Sequence, residues 1–348
     1  MIEGVHLVGS APVQEPVQMF EMACRHVGSH IRRLGDGEIG ERNAWIRWQF
    51  AKLGQCPQLA LSAATRYLGR TVEQYEILHA DRPLELVSPG YARAALDSYA
   101  AFRQARAAGV VPAHVRFMVG LPTPLSVVTL YVAPGSRRQV LEAYQARLLS
   151  ELRQITAAIP AHDLSIQWEV CIEFGILEGL WSYLDEEADP GGVDSSWSAG
   201  IAGHVCHLAR QVPEAVELGF HLCYGDAGHQ HFVEPEDATH LAWLSRQILN
   251  TVERRVSWIH MPVPRDRDDV EYFKPLAGLA LSDATELYLG LVHETGGVAA
   301  TRRRIAAAQQ VVPRFGVATE CGLGRRDLHS LPDLLDQHAA LAAPIAGS

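Results

Sequence analysis

Eight short apolar runs, alternating with amphipathic stretches across 348 residues, predict an α/β fold: a (β/α)8 (TIM) barrel forming one domain over residues 1–348. Three observations lead there. The runs are rich in β-branched residues and short, as buried parallel strands are. The intervening stretches carry helical apolar spacing. No glycine-rich phosphate turn follows the first run, which argues against the rival open doubly wound sheet.

The strands, in order, are VHLVGS (5–10), IRRLGDGE (31–38), HVRFMVGLP (114–122), LSIQWEVC (164–171), LGFHLCYG (218–225), RVSWIHMPV (255–263), ELYLGLVH (286–293) and RFGVATEC (314–321). Helical patterns lie between them at 17–31, 137–159, 238–253 and 299–312. Two gaps exceed a simple crossover: 40–113 after the second strand and 172–217 after the fourth. Both read as insertions on one barrel. The second contains DEEADPGGVDSSWSAG (185–200), a polar loop rich in Gly and Ser. No internal repeat is evident.

The formal charge of −10 and scattered arginines argue against nucleic acid as a partner. No apolar segment approaches the ~18–20 residues of a membrane helix, so no membrane partner is expected. The start, MIEGVHLVGSAP, reads as neither signal nor transit peptide. Six cysteines spread through a chain this long do not form a disulfide framework. A cytoplasmic protein with free thiols is the expectation, and a homo-oligomer is left open.

In such a barrel the chemistry sits at the C-terminal ends of the strands. Ser10 closes the first strand here and Glu38 follows the second. Glu169 lies late in the fourth, and His221 and Cys223 in the fifth. His260 lies in the sixth, His293 ends the seventh and Cys321 ends the eighth. Residues two apart on a strand share a face, so His221 and Cys223 can reach one ion. Thiolate and imidazole suit zinc, and three protein ligands with an open position are typical of catalytic zinc.

These segments resemble the catalytic C-terminal half of cobalamin-independent methionine synthase, a zinc-dependent barrel that methylates the thiol of homocysteine. GSAP (9–12) is similar to the family's opening substrate loop, and GEIGERN (37–43) to its Gly-Glu…Glu-Arg-Asn segment. IQWE (166–169) is similar to the strand with an acidic amino-group ligand. HLCY (221–224) and CGLGRR (321–326) resemble the two zinc segments, and His293 in LVHET matches the proton-handling histidine. The resemblance implies that His221, Cys223 and Cys321 bind Zn2+, with His260 at the place of the family's glutamate ligand. It implies that Ser10, Glu38 and Glu169 hold the amino-acid end of a small, homocysteine-like thiol, and that His293 relays protons.

Three departures bear on the donor. His260 replaces a carboxylate, which makes the zinc centre neutral and a bound thiolate less electron-rich. The chain begins at the catalytic barrel, so the family's additional N-terminal barrel is not expected. VGLPTPLSVV (119–128) replaces the stretch that bears an aromatic folate contact. An alkyl donor other than polyglutamylated folate is therefore expected. Alternatives are a zinc-dependent C–S lyase or epoxide–thiol transferase of the same superfamily, and a non-catalytic barrel that binds zinc or a thiol metabolite.

Weaker signals surround these. His229 and His231 in GDAGHQHF read either as a loop over the zinc or as an exposed turn. HVCH (204–207) reads as helix packing, and Cys24, Cys56 and Cys171 as core. Arg325 and Arg326 read as a solvated loop, with contact to an anion as the functional option. RDRDD (265–269) reads as a polar loop whose Arg265 or Asp266 could line the pocket. Trp45 and Trp48 pack the insertion after Glu38, and one ring could wall the pocket.

Overall fold

The computed structural model of the protein describes residues 2–67, 69–185 and 192–345. Its strands are β1 (Ile2–Val5), β2 (Arg33–Leu34), β3 (Leu59–Tyr67), β4 (Arg70–Ile77), β5 (Arg116–Pro122), β6 (Leu164–Val170), β7 (Glu217–Leu222), β8 (Trp258–Pro262), β9 (Glu286–Gly290) and β10 (Phe315–Val317). Eight of them form one all-parallel sheet in the order β1-β10-β9-β8-β7-β6-β5-β2. The sheet curls into a TIM-barrel-like fold. Its outer strands meet at a parallel bridge between Val5 and Ile31, where Val5 N–H donates to the His30 carbonyl at 2.7 Å.

Every predicted run contributes a strand to this sheet. The first does so only at Val5, because β1 occupies Ile2–Val5. His6 N–H still donates to the Val317 carbonyl, after which the chain leaves the ladder and Ser10 bridges to Gly37. The apolar character of residues 7 and 8 reflects burial in the barrel mouth, not strand pairing. At the eighth run the strand ends at Val317, so Cys321 lies in the following turn.

Helices cover the outside: α1 (Pro16–Val27), α2 (Arg47–Leu53), α3 (Tyr91–Ala107), α4 (Pro124–Tyr131), α5 (Arg137–Ala158), α6 (Ile172–Leu177), α7 (Ser198–Arg210), α8 (Thr239–Thr251), α9 (Val270–Phe273), α10 (Gly297–Gln309) and α11 (Leu331–Leu341). The start of α1 is set by a capping box between Glu15 and Gln18 and by Pro16, whose missing N–H costs nothing at that position. Phe102 on α3 packs against Phe117 on β5 and edge-on against Phe20 on α1, all three fully buried. Each such ring contributes roughly 1.5–3 kcal/mol through burial.

The stretch between β2 and β5 holds a 3-10 turn (Gly40–Ala44), α2, an antiparallel β3–β4 hairpin in a sheet of its own, and α3. The stretch between β6 and β7 holds α6 and α7, with HVCH in α7. Part of the expected polar loop at 185–200, residues 186–191, lies outside the described residues.

At the N-terminal end of the strands the barrel is plugged. Arg33, 2% exposed, reaches Glu217 and Glu286 at 2.7 Å each, with its guanidinium 4.1 Å from the Trp258 ring centre. Gly219 makes room for that indole, since a Cβ there would overlap the Trp258 ring.

Candidate active site

Sheet register stacks the chemical side chains in levels. Glu169 on β6 pairs with His221 on β7, which pairs with His260 on β8. Cys223, expected within the strand, is the residue just past the end of β7, where its N–H still donates to the Val170 carbonyl and keeps it on the same side as His221. Cys321 comes to the same place from the turn after β10. The ligand atoms of His221, Cys223 and Cys321 all lie within 4.8 Å of one another. Cys321 Sγ is 3.6 Å from His221 Nε2 and 3.7 Å from Cys223 Sγ. Two soft sulfurs and an imidazole nitrogen converging on one point match the donor set and spacing of a zinc site.

His260 stands outside that triad. Its Nδ1 lies 2.7 Å from His221 Nδ1, and its Nε2 lies 3.0 Å from the Thr319 carbonyl oxygen. A carbonyl only accepts, so His260 Nε2 carries the proton. In the neutral ring Nδ1 then holds a lone pair and accepts from His221 Nδ1–H. That leaves the lone pair of His221 on Nε2, facing Cys321. Burial pushes both imidazoles well below the usual histidine range, and for each a neighbouring imidazole adds to the shift. The structure therefore brings His260 to His221, not to the point where the triad converges.

The triad forms one wall of a cleft of about 490 Å³, which Ser10, Glu38, Trp45, Glu169, Asp226 and Arg325 also line. Glu38 and Glu169 hydrogen-bond to each other, which requires a proton between them. Burial raises both carboxyls, and the Glu169 charge pushes Glu38 well above the carboxylate range. Trp45 Nε1–H donates to Glu169 Oε2 at 2.8 Å. Gly9 and Gly120 give the carboxyls space, as a side chain at either would collide with them. Glu38 and Trp45 have φ of 49° and 55°, in the left-handed region that such residues seldom adopt. Ser10 Oγ accepts from Gly324 N–H at 3.4 Å, tying the first mouth loop to the turn that carries Cys321.

His293 lies in a neighbouring cleft of about 210 Å³, with Asp226, His229, His231, Arg265 and Glu320. Its Nδ1 is 2.8 Å from Glu320 Oε2 and its Nε2 is 2.9 Å from the Val263 carbonyl oxygen. Burial alone would raise the Glu320 carboxyl, but His293 and Arg326 hold it down at about 2. Asp226 lines both clefts.

Several minor expectations resolve here. Arg326 is not in a solvated loop: its side chain, 7% exposed, pairs with Glu320 at 3.1 Å. Arg325 lines the larger cleft and reaches Asp226 at 3.5 Å. His229 accompanies the Arg325 carbonyl at 2.9 Å and His231 pairs with Glu234 at 2.9 Å, both apart from the triad. Arg265 lines the smaller cleft. Cys56 is buried and Cys24 partly buried, whereas Cys171, expected in the core, faces the cleft beside Cys223. Cys171 and Glu320 were not marked by sequence reasoning as site residues. The signal for each is adjacency, E-x-C at 169–171 mirroring H-x-C at 221–223, and Glu320 preceding Cys321.

No protein-family model and no curated protein matches the chain. Solved structures do. A B12-independent methionine synthase from Shewanella sp. W3-18-1, in complex with selenomethionine, superposes with a TM-score of 0.61 at 13% identity, over 98% of this chain and 96% of that one. A Listeria monocytogenes protein, provisionally assigned as a vitamin-B12-independent methionine synthase, gives 0.54 at 12% identity over 94% and 87%. A methyltransferase from Methanosarcina mazei gives 0.52 at 11% identity over 97% and 94%. Likeness at these identities is one of fold. The chain shares its fold with these structures, two of them of B12-independent methionine synthase type and one a methyltransferase.

Proposed function

We propose that the protein is a zinc-dependent transferase that alkylates the thiol of a small amino acid such as homocysteine, with a methyl group transferred by default. The observation that carries this reading is the His221–Cys223–Cys321 convergence opening onto a cleft with a paired-carboxyl floor. The sheet is read as a closed (β/α)8 barrel, joined at Val5–Ile31, with residues 40–113 and 172–217 as its insertions.

His221, Cys223 and Cys321 would hold the metal. Zinc there would lower the pKa of a bound thiol from ~8.5 and present the sulfur as thiolate. The remaining steps belong to the chain. Glu38 and Glu169 receive the substrate ammonium, whose charge takes the place of the proton they share. Ser10 orients the amino-acid end from the opposite loop. Trp45, bonded to Glu169, walls the cleft and keeps water from the carboxyl pair. The thiol sulfur then forms a bond to the donor's alkyl carbon while the bond from that carbon to its leaving group breaks. The electron pair departs with the leaving group, which takes up the proton that the thiol gave up; His293, held by Glu320 and the Val263 carbonyl in the adjoining cleft, is assigned to hand that proton on. His260 is a positioning residue in this reading: it fixes the tautomer of His221 that offers Nε2.

The donor is a small electrophile other than polyglutamylated folate, and the protein acts in the cytoplasm on small molecules. The test is metal content and thiol binding of the purified chain. Near one zinc per chain is expected, lost in Cys321→Ser, with homocysteine binding that disappears on zinc removal and does not extend to homoserine. A chain that binds no zinc, or binds homocysteine equally without it, refutes the reading.

A further inference from the structure

The pairing of β6 with β7 has a consequence for the metal site, one that rests on the zinc reading above. Glu169 sits beside His221 and Val170 beside Leu222, and Cys223 N–H donates to the Val170 carbonyl at 2.9 Å. Continuing that register, the next same-face pair is Cys171 beside Cys223. The E-x-C of one strand end thus runs alongside the H-x-C of the next. On the other flank β8 sets His260 beside His221, one level deeper, and its next same-face residue, Pro262, offers no ligand atom.

Cys171 sits beside the triad, in thiol contact with Cys223 but outside the three ligand atoms that lie within 4.8 Å of one another. It is buried, 2% exposed, and lines the same cleft as His221, Cys223 and Cys321. Its thiol hydrogen-bonds to the Cys223 thiol and to the Gly225 amide, which also donates to Cys223 Sγ at 3.2 Å. Its own N–H is held by Glu173 Oε2 at 3.1 Å, which fixes the backbone just beyond the strand. His260, the other candidate for a fourth position, already has a partner on each ring nitrogen.

We propose that Cys171 is the fourth protein donor to the metal held by His221, Cys223 and Cys321. The charge arithmetic agrees. Zinc with three thiolates and a neutral imidazole carries one net negative charge, as it does with two thiolates, an imidazole and a carboxylate. Cys171 would thereby supply the negative charge that a carboxylate ligand would bring and that His260, a neutral imidazole outside the triad, does not; on thiol binding its sulfur would give way to that of the substrate.

The experiment is zinc-edge X-ray absorption of the full chain, loaded with zinc in thiol-free buffer. Three sulfurs and one nitrogen per zinc are expected in the unmodified protein. Cys171→Ala should lose one sulfur in favour of a lighter donor, while Cys206→Ala, on α7, keeps all three. Two sulfurs in the unmodified protein, or three that persist in Cys171→Ala, overturn the assignment of Cys171 and leave thiol alkylation standing. No bound zinc at all overturns both. Should Cys171→Ala not fold, Cys171→Ser supplies the comparison, and a two-sulfur count in the unmodified protein refutes the assignment on its own.

Discussion

His221 and His260 divide a task that a single carboxylate would perform differently. One presents a nitrogen to the cleft, and the other accepts from the rear of that ring at Nδ1 while donating from Nε2 to the Thr319 carbonyl. Removing the rear partner leaves His221 Nδ1–H buried without an acceptor and frees the ring to turn. His260→Ala is therefore expected to weaken zinc binding about 10–100-fold in a chelator competition, with the helical circular dichroism intact. Unchanged affinity would end the positioning role, and loss of one nitrogen from the metal shell would make His260 a ligand. This pair was only half legible in the sequence. H-x-C announces a shared face because the period of a strand is two. Which residue of β8 lies beside His221, and which way its ring turns, depends on pairing between strands far apart in the chain. Cys171 was hidden for the same reason, since a cysteine ending an apolar run has the pattern of a core residue.

Among the elements, the eight sheet strands were visible because both of their faces are covered, so they are written as short apolar runs. The β3–β4 hairpin was not. Its strands, LALSAATRY and RTVEQYEI, carry Thr, Arg, Glu and Gln, and much of that surface is exposed. Burial could not mark it. Within the sheet, the closest fit is between β7 and β8. Gly219 lies under the Trp258 indole, and the same indole receives the Arg33 guanidinium. Gly219→Ala forces the ring and the cation away together. An overpacked core costs about 1–3 kcal/mol, and displacing a buried cation adds to it. A lowered urea midpoint for Gly219→Ala is the expected result, with Gly203→Ala on exposed helix surface as a comparison that loses nothing. Equal midpoints would mean that the indole has room to spare.

For the molecule as a whole, acid is the condition to watch. His338, fully buried on α11 with Nδ1 2.7 Å from the Leu334 carbonyl, is lowered by burial to about 4. Between that value and the ordinary 6.5 the unfolded chain binds a proton that the folded chain refuses. Stability is therefore full above about pH 6.5 and is lost as pH falls towards 4, by roughly 3 kcal/mol for this group. His338→Gln keeps a donor near Leu334 and has nothing to titrate, so its urea midpoint should fall less steeply over that interval; parallel profiles would show that His338 is not responsible. The plug of Arg33, Glu217, Glu286 and Trp258 bears on traffic as well as on stability. It makes the barrel a vessel with a single opening. In the proposed reaction a thiol seated against Glu38 and Glu169 would occupy the bottom of that vessel, and whatever alkylates it would have to come in above and depart before it. In a one-ended chamber the first reactant to enter is the last product to leave, so the order of events is written into the floor.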